Sequence, residues 1–155
     1  MQLFLCEKPS QAKDIARVLG ISKREQGFIS GGDTVVTWAI GHLLETASPE
    51  AYGEQYGRPW RADVLPVLPE AWQMVVKEQT KSQFTVISKL LKKASEVVIA
   101  TDADREGEVI ARELLEYCGY SGAVRRLWLS ALDEASVKEA LGNILPGEKT
   151  ALLYD

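Results

Sequence analysis

Apolar positions change their period along this chain, and each change marks an element. The unbroken run Leu3-Phe4-Leu5-Cys6 makes Gln2 to Cys6 a short strand covered on both faces. Pro9 then stands where a helix can begin, because its missing N–H costs nothing at the first helical position. Ala12, Ile15, Ala16 and Leu19 recur at helical spacing until Gly20 ends the pattern. Phe28-Ile29 and the run from Thr34 to Ile40 are β-prone and flank Gly31-Gly32-Asp33, which predicts a hairpin. From Gly41 to about Thr80 neither period persists. Pro49, Pro59, Pro66 and Pro69 mix there with Tyr52, Tyr56, Trp60 and Trp72, the composition of an ordered excursion packed by its aromatics.

Regular spacing resumes with Phe84, Ile87, Leu90, Leu91 and Ala94, one face of a helix whose other face carries Lys81, Lys89, Lys92 and Lys93. That basic face reads first as solvated surface and second as a DNA contact. The β-branched run Glu96 to Thr101 predicts a buried strand. A helix through Val109, Ile110, Leu114 and Cys118 follows, then a strand at Leu127-Trp128-Leu129 and a last helix through Val137, Ala140, Leu141 and Ile144. Strands alternating with helices predict an α/β fold: a doubly wound, mostly parallel sheet with helices on both faces and an irregular insertion near 42–80.

Composition narrows the function. The 155 residues suit one domain, and 22 acids against 18 bases give a net charge of -4. Bulk positive charge for holding nucleic acid is therefore absent, and any DNA contact has to be local. Cys6 and Cys118 form no metal-binding pattern and fit a reducing compartment. No run approaches the ~18 apolar residues of a membrane span, so the expectation is a cytoplasmic protein without a membrane partner.

The charge is unevenly placed. Residues 1–93 carry 12 bases and 10 acids, whereas 94–155 carry 6 and 12. Asp102-Ala103-Asp104-Arg105-Glu106-Gly107-Glu108 holds four carboxylates and lies where a buried strand hands over to a helix, as Glu7-Lys8 does. Ligands of open α/β sheets bind at such carboxyl ends. Two like charges about 4 Å apart repel by ~4 kcal/mol at an effective dielectric of 20, and a helix N-terminus returns only ~0.3–1 kcal/mol. A hard divalent cation suits the cluster better, and magnesium takes one or two carboxylates with retained waters. The plainer reading is a helix cap with solvated charge, and Glu7-Lys8 by itself reads as an exposed ion pair. An EF-hand is excluded by the strand before the acids and by Ile110 at the ninth loop position.

Leu3-Phe4-Leu5-Cys6-Glu7-Lys8-Pro9-Ser10, Ile40-Gly41-His42-Leu43-Leu44-Glu45 and Ala100-Thr101-Asp102-Ala103-Asp104-Arg105-Glu106-Gly107-Glu108 together closely resemble the N-terminal Toprim domain of type IA DNA topoisomerases, in the form of the topoisomerase III branch. The resemblance implies a Rossmann-like Toprim domain over 1–145, with 146–155 beginning a linker to downstream domains. It implies that Glu7 is a catalytic general acid that can also share a metal, that Lys8 stabilises phosphoryl charge, and that Asp102, Asp104 and Glu106 bind Mg2+. DNA, as a single-stranded segment, and the remaining topoisomerase domains are the implied partners, and the nucleoid the implied location. His42 belongs to the motif, although a lone histidine at a strand end is commonly structural. Arg105 contacts phosphate or pairs with neighbouring acids. The family's nucleophilic tyrosine lies in a later domain, and Tyr52, Tyr56, Tyr117, Tyr120 and Tyr154 do not match its motif. The chain alone is therefore expected to be inactive in DNA relaxation. A stand-alone metal-dependent binding module and a small nuclease or primase-like enzyme stay open as alternatives.

Overall fold

The computed structural model describes residues 1–46 and 74–153. Nine strands and four helices are assigned there: β1 Gln2–Cys6, α1 Pro9–Leu19, β2 Lys23–Glu25, β3 Phe28–Gly31, β4 Thr34–Trp38, β5 Leu44–Thr46, β6 Met74–Val76, α2 Lys81–Lys93, β7 Glu96–Ala100, α3 Arg105–Tyr117, β8 Ala123–Arg126, α4 Glu134–Leu141 and β9 Leu145–Pro146. The seven-stranded main sheet has the order β2-β3-β4-β1-β7-β8-β9. Its four central strands run parallel, whereas β2–β3, β3–β4 and β8–β9 are antiparallel, so the sheet is mixed rather than uniformly parallel. Strands β5 and β6 pair separately. The prolines and aromatics of the expected excursion, Trp60 and Trp72 among them, lie outside the described residues.

Strict alternation along the central strands builds two cores. Leu3 and Leu5 of β1 and Val97 and Ile99 of β7 pack with Ile87, Leu90 and Leu91 of α2 and with Ile110, Ala111 and Leu114 of α3. Phe4, Cys6, Val98 and Ala100 point to the opposite face, against Ala12, Ile15 and Ala16 of α1 and Val137 of α4. Strands covered on both faces explain why the sequence shows continuous apolar runs here. Burial also pushes the Cys6 thiol strongly upward, which makes it a small apolar residue.

Two local expectations are corrected. The strand foreseen at Leu127-Trp128-Leu129 is Ala123–Arg126, with only the Leu127 N–H continuing the ladder, at 2.8 Å from the Ile99 carbonyl. The last helix begins earlier than its apolar spacing suggests, because the Asp133 carboxylate accepts from the Ser136 N–H at 3.1 Å and caps Glu134–Leu141.

The order of the central strands creates a reversal. From β1 the chain passes through α1, β2 and β3 to reach β4 on one side, and from β7 it crosses by α3 to β8 on the other. The crevice between β1 and β7 is thus the switch point of the sheet, where such folds place ligands.

Candidate functional site

Cys6 and Ala100 are register partners at the ends of β1 and β7, so Glu7 and Asp102 leave the sheet side by side. The Asp102 N–H donates to Glu7 Oε1 at 3.2 Å. Gln11, buried on the first turn of α1, spans the two strand ends: its Oε1 accepts from the Glu7 N–H at 2.9 Å and its Nε2 donates to Asp102 Oδ1. Lys8 is the N-cap residue of α1 and is exposed.

The Asp104 carboxylate caps α3, accepting from the Gly107 N–H at 2.7 Å, and the Asp104 N–H donates to the Asp102 carbonyl at 2.8 Å. This tight turn brings backbone against backbone. A Cβ on Gly107 would overlap the Asp102 carbonyl oxygen and stand 3.0 Å from the carbonyl carbon and the nitrogen of the same residue. Glycine is required here by close approach rather than by an unusual dihedral.

The fourth carboxylate of the cluster turns away from the rim. Glu108 is fully buried and pairs with the equally buried Arg126, Oε1 to Nε at 2.7 Å. Arg112 approaches its other oxygen at 3.2 Å. The Arg126 guanidinium also donates to the carbonyls of Ile99 at 3.2 Å, Thr101 at 2.8 Å and Asp102 at 2.6 Å. Trp128 covers it, with the ring centroid 5.0 Å from Cζ.

Of the predicted site residues, Glu7, Asp102 and Asp104 meet at one rim. Glu106 is exposed and turned to His42, whose Nε2 it contacts, and the other ring nitrogen faces Glu113 at 3.5 Å. His42 therefore ties the segment before β5 to the outer face of α3. Arg105 is exposed and makes no ion pair among the described residues. Gln11 and Arg126 lie outside the residues that the sequence singles out, and Glu108, counted there only as one of four clustered carboxylates, faces the core.

Burial raises the Glu7 carboxyl above its ordinary range; the Asp102 amide opposes this, and repulsion from Asp102 and Asp104 adds to it. A cation would relieve that crowding, and carboxylate oxygens are the donors a hard divalent ion prefers. No group of three His, Cys, Asp or Glu side chains converges as a ready-made cage among the described residues. An ion that keeps several waters and takes one or two carboxylates needs none, so these residues fit such an ion.

The raised carboxyl has a consequence for stability. A carboxyl that ionises less readily when folded contributes no penalty below its unfolded value. As pH rises through the interval up to the folded value the native state loses stability, and it keeps that loss above. Glu7→Gln preserves an oxygen acceptor for the Asp102 N–H and removes the charge. The variant should melt higher than the parent at pH 7, and the gap should close toward pH 4; a gap independent of pH in paired melting curves contradicts this account.

The fold and rim define a doubly wound α/β domain with an acidic site at its switch point. The Toprim domain model matches residues 2–132, and the chain belongs to that family. It is 43% identical over 152 residues to the protein named DNA topoisomerase 3 of Shouchella clausii, and 40% identical over 154 residues to that of Bacillus subtilis. These alignments cover 97% and 98% of this chain and 21% of each relative, so the chain spans about a fifth of their length. Full-length topoisomerase I from Thermotoga maritima superposes on 97% of this chain with a TM-score of 0.63, at 20% identity and over 22% of that structure, a likeness of fold. No helix of the described residues is long and apolar enough to cross a membrane.

Proposed function

We propose that this chain is the N-terminal Toprim domain of a topoisomerase III-like enzyme, with DNA as substrate, supplying half of the site that cleaves and reseals one strand. Residues 1–145 are the domain and 146–155 lead toward the enzyme's other domains; the Gly147 carbonyl, held by Arg112 at 2.7 Å, keeps the start of that segment on the sheet edge. The observation that carries the reading is the meeting of Glu7 with Asp102 at the ends of adjacent parallel strands. Strand cleavage transfers a phosphoryl group from a 3′ oxygen to a tyrosine oxygen supplied by another domain, and the departing oxygen needs a proton. Glu7, whose proton affinity is raised by burial and by its acidic neighbours, stands beside Asp102 at the rim as the group to give that proton and to recover it on resealing. Lys8, exposed beside it, offsets charge on the non-bridging oxygens. Asp102 and Asp104 are the residues that would hold Mg2+, with Glu7 able to share it and Glu106 joining after release from His42. When bound, the ion supplies electrostatic stabilisation of the phosphoryl oxygens. Through it an acidic rim on an acidic protein becomes attractive to DNA phosphate, with a single-stranded segment as the substrate form and the nucleoid as its setting.

The reading is tested by adding magnesium to the isotope-labelled chain. Amide resonances near Glu7 and at 102–106 should shift saturably, and Asp102→Asn with Asp104→Asn should remove the response. The same preparation should leave supercoiled plasmid unrelaxed, because the nucleophile is elsewhere. Saturable shifts confined to other residues, or relaxation by the chain alone, refute it.

A further inference from the structure

We infer that Arg126 is a positioning residue for the acidic rim, acting through the backbone of residues 99–102 rather than through any ligand. A fully buried guanidinium is an expensive group to keep, and desolvation draws its proton affinity down despite Glu108. Charge pairing alone does not explain its placement, because most of its donors point at main-chain carbonyls. Three of these, Ile99, Thr101 and Asp102, belong to the end of β7 and the turn that launches the acids. The Asp102 carbonyl is drawn inward by this fork and accepts from the Asp104 N–H on the way. With the carbonyl inward, the Asp102 N–H is left to face Glu7 and its carboxylate to face Gln11. Planar, forked donors do this and a point charge does not. Glu108 holds the guanidinium from the opposite side, and Trp128 closes it off from solvent.

The consequence for metal rests on the function proposed above; the consequence for turn geometry does not. The double variant Glu108→Leu with Arg126→Met removes the fork without leaving either charge buried alone. In the metal-free chain, hydrogen exchange of the Asp104 and Gly107 amides should accelerate at least tenfold more than exchange of Leu5 and Val98 in the strand centres. Half-saturation by magnesium, read from amide shifts, should rise about tenfold, the lower end of what loss of an outer-shell partner costs. A merely structural pair would change all four amides in step and leave half-saturation where it was, and that result overturns the inference. If the double variant fails to fold, Arg126→Lys keeps the charge opposite Glu108 but not the fork. It should show the same selective acceleration, and its absence there is equally decisive against the inference. A parent chain with no magnesium response refutes the proposed function instead, while the exchange comparison still decides the role of Arg126.

Discussion

Arg126→Met as a single change is expected to cost about 3–5 kcal/mol of unfolding free energy, the usual result of stranding one partner of a buried ion pair. That is a large part of the ~5–15 kcal/mol available to a domain. Two losses combine. Glu108, with no exposure, keeps only Arg112 at 3.2 Å, and the Thr101 carbonyl loses its 2.8 Å donor. Glu108→Leu alone should cost a similar amount, since it leaves Arg126 and Arg112 facing each other without the carboxylate between them. The double variant should cost less than either single, about 1–3 kcal/mol, which is the penalty for buried carbonyls left without donors. Urea unfolding of the four proteins gives the cycle directly. Additive single effects show that the two side chains are not a unit, and contradict the account.

Gly107→Ala sets two known effects against each other. In an exposed helix the change favours the folded state by about 1 kcal/mol. Here the new methyl meets the main chain of Asp102, which is itself held by Asp104 and Arg126, so no flexible side chain can yield. Overpacking of this kind costs about 1–3 kcal/mol, occasionally more. The expected sum is a net loss of stability, with weaker magnesium response at 102–106 because relief comes by moving the acids. A lower urea midpoint for the variant checks the first part. A variant more stable than the parent shows that the turn can open without cost.

Continuous apolar runs disclosed the central strands, because a strand with both faces covered has no polar side to confuse its period. The edges were harder. Lys23-Arg24-Glu25 of β2 is exposed and carries no apolar signal, and β9 is only Leu145-Pro146. Strand β8 was displaced toward Leu127-Trp128-Leu129 because Arg125 and Arg126 do not look like strand interior. Gln11 and Glu108 follow one rule, whereas Arg126 lies on strand β8 and does not. Gln11 sits beside Ala12 and one turn before Ile15, and Glu108 lies three and seven residues before Ala111 and Leu115, so each occupies the buried stripe of its helix. A polar residue on an apolar stripe was the available signal, and its partner across the sheet was not legible, because helical spacing says nothing about which strand lies opposite. Glu7, Asp102 and Asp104 of the motif lie together at one rim. The motif did not reveal that the Glu106 carboxylate is turned to His42.

The seam between β1 and β7 also has a history in time. Gln2 and Glu96 are joined across 94 positions, and Glu7 with Asp102 across 95. Closing a loop of that length costs on the order of 4 kcal/mol in chain entropy before any contact across it is gained. The hairpin of β3 and β4, and the unit of β7, α3 and β8, are both local enough to form first. Neither contains both carboxylates. The Glu7–Asp102 contact therefore needs the step that joins the halves, whereas Asp102 and Asp104 already share the turn between β7 and α3.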